Sequence, residues 1–553
     1  MNYQEKYQAW LSSPLMNEEL LKELKSIKDN EDEKKLRFGK DLDFGTAGLR
    51  GTLGVGSNNM NIITVGWITQ GLANMLISRR LTSKGVVIGM DSRLCSDIFS
   101  VLCARIFAAN GIKVYLFDDI RPTPEISFAV RELNAAIGVN ITASHNPKTY
   151  NGYKVYFADG AQISPEIAKE VVSFAGDNIL CNRNICDFQK AVEQGMVEII
   201  GEEIDSRFLS MVESSLGEAK EYNKALKVVY TPLYGSGYKL VPRLLEKRGF
   251  KAQYVEQQMV PNGNFPTCDP PNPERKASYD LALELAKQEG ADIILATDPD
   301  TDRVGALILH NGEYTLLTGN QIGALTCRYR LENMDFHGKT PFVVKSLVST
   351  DLVKPLCEKY GAKLMNVLTG FKYIGEKIGK YEADENMVFA LGFEESYGYL
   401  GAGYARDKDA VFAANCVAQM AAFCKNNGKT CIDYLNEMYA EYGCYIEKTQ
   451  GLDLDPLTGL ENLALRLDEL RKAAPKEIGG EKVVKMLDYL KGVEDLPLSN
   501  ILEFDFENGS KIIIRPSGTE PKVKVYALCV GKTTEEATEI CEKLSKAAKA
   551  LIL

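Results

Sequence analysis

The sequence predicts an α/β protein: three related α/β units followed by a smaller α+β domain. Two observations carry this expectation. Short apolar runs alternate with helical stretches in the strand–loop–helix order of βαβ units, and that order occurs three times. From Ile501 onward the pattern changes to hairpin strands and one capped helix. The repeat shows in element order, not in a fixed period.

Residues 1–40 read as a helical surface extension, rich in Glu and Lys, with Leu20, Leu21, Leu24 and Ile27 on one face. Asp41–Gly51 then sets Gly45, Gly48 and Gly51 around Arg50. Glycines let backbone approach a ligand closely, and a guanidinium suits phosphate; a flexible linker is the alternative. In the first α/β unit, Val86–Met90 is a strand, 94–109 a helix and Ile112–Phe117 a strand. A third, buried strand at Ala135–Val139 delivers the loop Asn140–Lys154. The second unit has a strand at Lys227–Tyr230, a Gly-rich loop at Thr231–Gly237 and a helix to Arg248. A Pro-rich loop (261–273) follows, then the strand Ala291–Thr297, which ends in Asp298–Arg303. Val304–Leu309 and Tyr314–Leu317 pair through Asn311-Gly312, a strong hairpin signal. The third unit offers strands at Phe342–Lys345, Lys363–Val367 and Met387–Leu391, each before a polar loop, and a helix from about Asp407 to Asn426. Residues 445–500 read as polar helices and linker. In the tail, Ile501–Phe506 and Lys511–Ile514 form a hairpin around Asn508-Gly509, and Val523–Cys529 is a further strand. A helix opening with the capping box Thr533–Glu536 buries Ala537, Ile540, Leu544 and Ala548. The expected segments are a 1–40 extension and domains at 41–205, 206–318, 319–445 and 446–553.

Composition narrows the function. The 553 residues suffice for several cores, with 45% hydrophobic and 25% charged residues. A net charge of −10, from 65 basic and 75 acidic residues, argues against a nucleic-acid or anionic-membrane partner. Thirteen scattered cysteines without a C-x-x-C pair suit free thiols in a reducing cytoplasm. The polar start Met1–Trp10 is unlike a secretory signal, and no apolar run reaches the ~18 residues of a membrane span.

Asn140–Lys154 reads as a reaction centre. Ser144 falls on a turn at a strand end, where open α/β sheets bind ligands. Pro147 and Asn151-Gly152 fix the loop, and Lys148 and Lys154 add positive charge suited to phosphoryl chemistry. A hydrolase reading of Ser144 beside His145 meets two objections. G-x-S-x-G is absent, and neighbours in extended chain point apart. Asp298, Asp300 and Asp302, at every second position, converge on one hard cation if placed at a strand end. An EF-hand is excluded by Arg303 and Leu309 at its sixth and twelfth positions, so Mg²⁺ with phosphate or water completing its shell fits better. Arg303 then suits a phosphate. Arg515–Lys522 is a second phosphate candidate: Arg515 brings a bidentate fork, Ser517 and Thr519 hydroxyls, and Gly518 freedom to turn N–H groups inward. Glu394, Glu395 and Ser396 form a loop able to meet sugar hydroxyls, and Arg406 and Lys408 stand at a helix start.

Four of these motifs stand in the order in which the α-D-phosphohexomutases carry them. They are Thr-Ala-Ser-His-Asn-Pro (142–147), Asp-Pro-Asp-Thr-Asp-Arg (298–303), Gly-Phe-Glu-Glu-Ser (392–396) and Arg-Pro-Ser-Gly-Thr-Glu-Pro (515–521). The chain resembles that family from about residue 41 to its end. The opening Phe-Gly-Thr-Ala-Gly-Leu-Arg (44–50) and the overall length look most like its phosphoglucomutase/phosphopentomutase branch. The resemblance implies three related α/β domains with mixed sheets plus a C-terminal α+β domain around a central cleft. It implies a phosphoserine at Ser144, which with Asp298, Asp300 and Asp302 would hold Mg²⁺. Arg50, Arg303, Lys154 and Lys408 would surround the phosphoryl groups. His145, Thr369, Gly370, Glu394 and Ser396 would meet the substrate, and Arg515, Ser517, Gly518 and Thr519 the distal phosphate. Lys154 and Lys372 are the candidate general bases. The reaction implied is a phosphosugar mutase passing through glucose 1,6-bisphosphate, with Glu-Glu-Ser favouring glucose over mannose. A phosphopentomutase or phosphomannomutase, or a non-catalytic phosphosugar-binding protein, are the alternatives. Thr301 stands where alanine is usual, and Phe393 and Tyr397 flank the sugar loop in a variant form.

Overall fold

A computed structural model describes residues 1–45, 48–455, 458–516 and 522–552. The four motif loops grow from four successive sheets. The first has the spatial order Leu49–Thr52, Tyr150–Phe157, Ile137–Ile141, Val86–Met90, Val114–Phe117, Val197–Ile200. Its last four strands are parallel, the consequence of βαβ connections, and the first two run antiparallel to their neighbours. The second sheet places Ile293–Thr297, Lys227–Thr231 and Lys251–Tyr254 in parallel, with the Asn311-Gly312 hairpin on one edge. The third has Lys363–Val367, Thr340–Ser346 and Met387–Glu394 in parallel, with Gly398–Leu400 antiparallel at the edge. The fourth is wholly antiparallel. This is the α/β class with mixed sheets and an α+β tail that the sequence predicts.

The central parallel strands Ile137–Ile141 and Ile293–Thr297 are buried end to end because helices cover both faces, so they read as unbroken apolar runs. One apolar core runs through all three units, from Ile126 and Phe208 through Leu240 and Leu244 to Phe371, Phe393 and Phe412. The far faces of the first and second sheets have cores of their own, and so has the last domain. A smaller apolar seam of Leu347, Val348, Leu368, Tyr489, Ile501, Ile513, Tyr526 and Leu528 joins the third unit to the last domain.

Several sequence readings need correction. The extension is three helices, Tyr3–Leu11, Glu18–Ser26 and Glu31–Phe38, capped by Asn2, Asn17 and Asn30. It lies against the first unit as part of its core, burying Trp10, Leu24 and Phe38. Residues 445–500 are not only helix and linker. Cys444–Asp453 pairs along its whole length with Lys522–Gly531, and Glu481–Asp488 pairs with Leu502–Phe506. Both strands keep only one face partly covered, so their side chains lack the apolar alternation that marks a strand. Asn151-Gly152 is no turn either. It sits inside the strand Tyr150–Phe157, where a Cβ on Gly152 would lie 2.4 Å from Thr142 O and 2.9 Å from Leu49 O. Glycine is there for close strand approach. In the tail, Thr533 Oγ1 caps Glu536 N (3.2 Å), but the Glu536 carboxylate reaches back to Lys532 N (2.6 Å).

Candidate active site

Two strands from different units deliver Ser144 and the three aspartates to one point. The buried strand Ile137–Ile141 runs out into Ser144, whose φ of +52° turns the side chain out of the extended path. Strand Ile293–Thr297 runs out into Asp298–Asp302. Ser144 Oγ donates to Asp298 Oδ2 at 2.6 Å, across 154 residues of chain. His145 Nδ1 also lies 3.1 Å from Ser144 Oγ. The extended-chain argument against that contact fails because Ser144 is left-handed. Burial, then Arg303 and Arg50, hold the His145 ring well below its ordinary pKa, which makes it a neutral hydrogen-bonding partner.

The three aspartates are fully buried and present carboxylate oxygens within 4.8 Å of one another. Asp298 uses both oxygens on protein donors, whereas Asp300 and Asp302 each keep one that makes no hydrogen bond among the described residues. Asp298 Oδ1 accepts from the backbone N–H of Asp302 (3.1 Å) and Arg303 (3.0 Å), leaving Oδ2 towards Ser144. Asp300 Oδ2 accepts from Lys154 Nζ (2.7 Å) and Thr123 Oγ1 (3.0 Å). Asp302 Oδ2 is held by Lys154 Nζ (3.0 Å) and Lys408 Nζ (3.2 Å). Asp300 Oδ1 and Asp302 Oδ1 remain buried with no hydrogen-bond partner among the described residues. Burial and mutual repulsion push these carboxyls up, yet Lys154, with Lys408 and Arg303 for Asp302, holds Asp300 and Asp302 below the usual range. Asp298 has no such lysine; burial, then Asp300 and Asp302, drive it well above. Hard, convergent oxygens, two of them buried without a hydrogen bond, are the donor set a small divalent cation requires, so the residues present fit Mg²⁺.

Around this centre, Arg50 donates to Asn146 Oδ1 (3.3 Å), and Arg303 pairs with Glu274 (2.7 Å) while its buried Nε lies 3.8 Å from Asp302 Oδ1 without a hydrogen bond. Lys408 also binds Asp407 Oδ1 (3.1 Å). Its stem passes where a Cβ on Gly398 would stand, 2.1 Å from Cδ, so a side chain at this strand position would displace Lys408. Glu394 accepts from Gly370 N (2.8 Å), which ties the Thr369-Gly370 turn to the Glu394–Ser396 loop. Val304 N donates to Tyr397 O (3.1 Å), locking that loop onto the strand after Asp302. Thr301, at φ +55°, exchanges a hydrogen bond with Ser236 Oγ (2.9 Å), which accounts for its hydroxyl. Lys154 and Lys372 differ sharply. Asp300 and Asp302 raise Lys154 against the effect of burial, whereas burial lowers Lys372, whose charged neighbours are Glu376 and Glu166. Arg515 lies near the end of the strand Lys511–Pro516 beside Tyr526, which also feels Glu395 and Glu394. Ser517, Gly518 and Thr519 lie outside the described residues.

Comparison with known proteins gives this arrangement a family. All four phosphoglucomutase/phosphomannomutase domains match: alpha/beta/alpha domain I at residues 41–178, domain II at 206–311, domain III at 318–442 and the C-terminal domain at 463–547. The chain belongs to the phosphoglucomutase/phosphomannomutase family. It is 34% identical over 545 residues to a phosphoglucomutase of Staphylococcus saprophyticus, covering 96% of this chain and 97% of that one. Two solved structures share the fold. One is a phosphoglucomutase/phosphomannomutase family protein of Burkholderia thailandensis (TM-score 0.68, 18% identity, 92% of this chain and 97% of that one). The other is the Paramecium phosphoglucomutase parafusin in an open form (TM-score 0.69, 17% identity, 92% and 96%). The chain is thus an isomerase of this family. Among the described residues no helix is long and apolar enough to cross a membrane.

Sequence reasoning missed the family member's support for its acidic loop. Thr123 stands at the start of helix Thr123–Glu132; its N–H donates to Asp300 O (2.8 Å) and its hydroxyl to Asp300 Oδ2. Asn140 Nδ2 donates to Thr123 Oγ1 (2.9 Å), completing a chain from the strand that leads to Ser144 to the acidic loop. The available signal was Pro122-Thr123-Pro124, a pattern that starts a helix.

Proposed function

We propose that this enzyme is a phosphoglucomutase interconverting glucose 1-phosphate and glucose 6-phosphate through phospho-Ser144 and glucose 1,6-bisphosphate. The observation that carries this reading is the 2.6 Å contact of Ser144 Oγ with Asp298 Oδ2, at the mouth of a buried carboxylate cluster held by Lys154. A serine turned out of its strand and pointed at a cation-binding cluster is arranged to carry and pass on a phosphoryl group. Phospho-Ser144 gives its phosphoryl to a sugar hydroxyl, whose proton leaves to a base; the bisphosphate turns end for end, and the other phosphoryl returns to Ser144. Asp298, Asp300 and Asp302 would hold Mg²⁺, which supplies positive charge against the transferring group. Lys154 and Lys408 orient the carboxylates, and Arg50 and Arg303 face the phosphoryl oxygens. Glu394, with Gly370 fixed against it, meets sugar hydroxyls, and Arg515 holds the phosphate that is not reacting. Of the two lysines, Lys372 has the lowered pKa a general base needs. The phosphoglucomutase relatives at 34–36% identity support glucose as the sugar. The test is turnover of glucose 1-phosphate against mannose 1-phosphate and ribose 1-phosphate, with the mass of Ser144 followed in parallel. Glucose should be preferred and Ser144 should carry the phosphoryl; faster turnover of either other sugar, or no phosphoserine, would overturn the proposal.

A further inference from the structure

The Asp91-Ser92-Arg93 segment and the Pro-rich loop 261–273 have no part in the reading above, yet they meet behind the nucleophile loop. Arg93 follows strand Val86–Met90 and is 3% exposed. Its Nη1 donates to Pro147 O (2.9 Å) and Tyr150 O (3.0 Å), and its Nη2 to the carbonyls of Ser144 and Asn146. Its Nε faces Asp91 Oδ2 at 3.4 Å. Asp91 Oδ1 in turn accepts from Arg93 N (2.9 Å) and Ser96 Oγ (3.0 Å). One planar fork therefore gathers four carbonyls of residues 144–150, which a lysine's point charge cannot do. Ser144 needs that restraint, because a non-glycine residue at φ +52° pays roughly 1–2 kcal/mol against the right-handed form.

A second unit closes over this clamp. The Phe265 ring lies over the Arg93 guanidinium, 5.1 Å to the ring centre. Asp269 accepts from Lys148 N (3.1 Å), and its other oxygen lies 3.8 Å from Lys148 Nζ. Gly263 is pressed onto the segment: a Cβ there would lie 2.5 Å from Leu94 N and 2.7 Å from Ser92 O. The loop thus grips both the arginine and the nucleophile loop that the arginine holds.

We propose that Arg93 is a positioning residue for phosphoryl transfer, braced across the domain boundary by loop 261–273. It holds Ser144 in the left-handed turn that points Oγ at Asp298. The inference rests on Ser144 as the phosphoryl carrier, and the two fail separately. Turnover surviving Ser144→Ala sinks that reading, whereas the clamp is judged by the variants below in an enzyme whose Ser144 is shown to be phosphorylated.

The experiment uses the full chain with Arg93→Lys, Phe265→Leu and Gly263→Ala, none of which alters a proposed substrate-binding or metal-binding side chain. Misplacing a reacting group by about 1 Å costs on the order of a hundredfold, so kcat on glucose 1-phosphate should fall by about that factor in Arg93→Lys. KM should stay within a factor of about two, since the distal phosphate site is untouched. Phe265→Leu and Gly263→Ala should lower kcat in the same direction by a smaller factor. Trypsin should cleave after the exposed Lys148 faster in each variant. Millimolar guanidinium should restore part of the turnover of Arg93→Ala, which a purely structural loss would not allow. Wild-type kcat in Arg93→Lys overturns the proposal. So does a fall in kcat that tracks only the folded fraction, with Lys148 cleavage unchanged in the folded protein. Should Arg93→Lys fail to fold, Phe265→Leu and Gly263→Ala decide: normal kcat in both overturns the brace.

Discussion

Thr123→Val tests whether the acidic cluster is tuned from outside itself. Thr123 is fully buried; its hydroxyl receives from Asn140 Nδ2 at 2.9 Å and donates to Asp300 Oδ2 at 3.0 Å. Valine keeps the shape and removes both bonds. Asp300 keeps Lys154 at 2.7 Å, so the carboxylate stays ionised but is free to rotate about its Cβ–Cγ bond. Its unpartnered Oδ1 then no longer points where it now points. Losing such an outer partner of a metal ligand lowers metal affinity or activity about 10- to 100-fold. Stability should fall by about 1–3 kcal/mol, because Asn140 Nδ2 is left buried without an acceptor. The assay is the Mg²⁺ concentration giving half-maximal turnover, with direct calorimetric titration of Mg²⁺ as a second readout. Thr123→Val should move both by about tenfold or more with little change in KM for the sugar phosphate, and Thr123→Ser should restore them. A valine variant with wild-type Mg²⁺ dependence, or a serine variant as poor as valine, would refute the reasoning.

Ser144→Ala should abolish turnover and phosphoserine, seen by intact mass, while melting within about 1 kcal/mol of the wild type, because it deletes one hydroxyl. Asp300→Asn should raise the Mg²⁺ requirement, and chelation followed by Mg²⁺ should inactivate and restore the wild type; turnover indifferent to thorough chelation removes the metal role. Arg515→Ala should cost about 1.5–3 kcal/mol, or ten- to over a hundred-fold in kcat/KM, by losing a charge-assisted phosphate contact, yet leave slow hydrolysis of phospho-Ser144 intact. Glu447 gives a pH test: burial pushes its carboxyl from 4.5 up to about 7. The folded chain therefore holds this proton more tightly than the unfolded one, so its stabilising contribution is full below about pH 4.5 and is lost as pH rises through about 7. Glu447→Gln should lose that slope, at most about 1.4 kcal/mol per pH unit, and gain on the wild type in denaturation midpoints measured from pH 5 to 8. Parallel pH profiles for the two proteins would rule it out.

What could be read from the sequence follows from what each residue reports about its own surroundings. Ile293–Thr297 and Ile137–Ile141 are apolar throughout because they are covered on both faces, so strand, burial and loop position were all legible. The spacing of Asp298, Asp300 and Asp302 was legible for the same reason: three buried carboxylates have no cheap structural excuse. Cys444–Asp453 was not legible, because its partner Lys522–Gly531 fixes it through backbone bonds that its side chains do not announce. Asn151-Gly152 misled because glycine answers two different needs, turning and close packing, and only the Thr142 and Leu49 carbonyls show which one applies. Thr123 and Arg93 act on partners 177 and 51 residues away, distances at which no local pattern speaks.

The acidic loop belongs to the second unit in the chain, but its geometry is made by all three. Lys154 and Thr123 reach it from the first unit and Lys408 from the third. Backbone bonds from Ala410 N to Thr301 O (3.1 Å) and from Val304 N to Tyr397 O (3.1 Å) stitch the second unit to the third. The same three units share one apolar core. Separating any two of them would expose that core and strand buried charges, so relative motion among them is expensive. The last domain adds Ala537 to that core and is otherwise joined by a smaller apolar seam and by Lys511, which meets Asp351 at 3.1 Å while Asp351 also holds Lys345 at 3.0 Å. Arg515 lies on the last domain, so the place of the proposed distal-phosphate contact is set across that seam, whereas Ser144 and Asp298 are held to each other by a direct 2.6 Å bond.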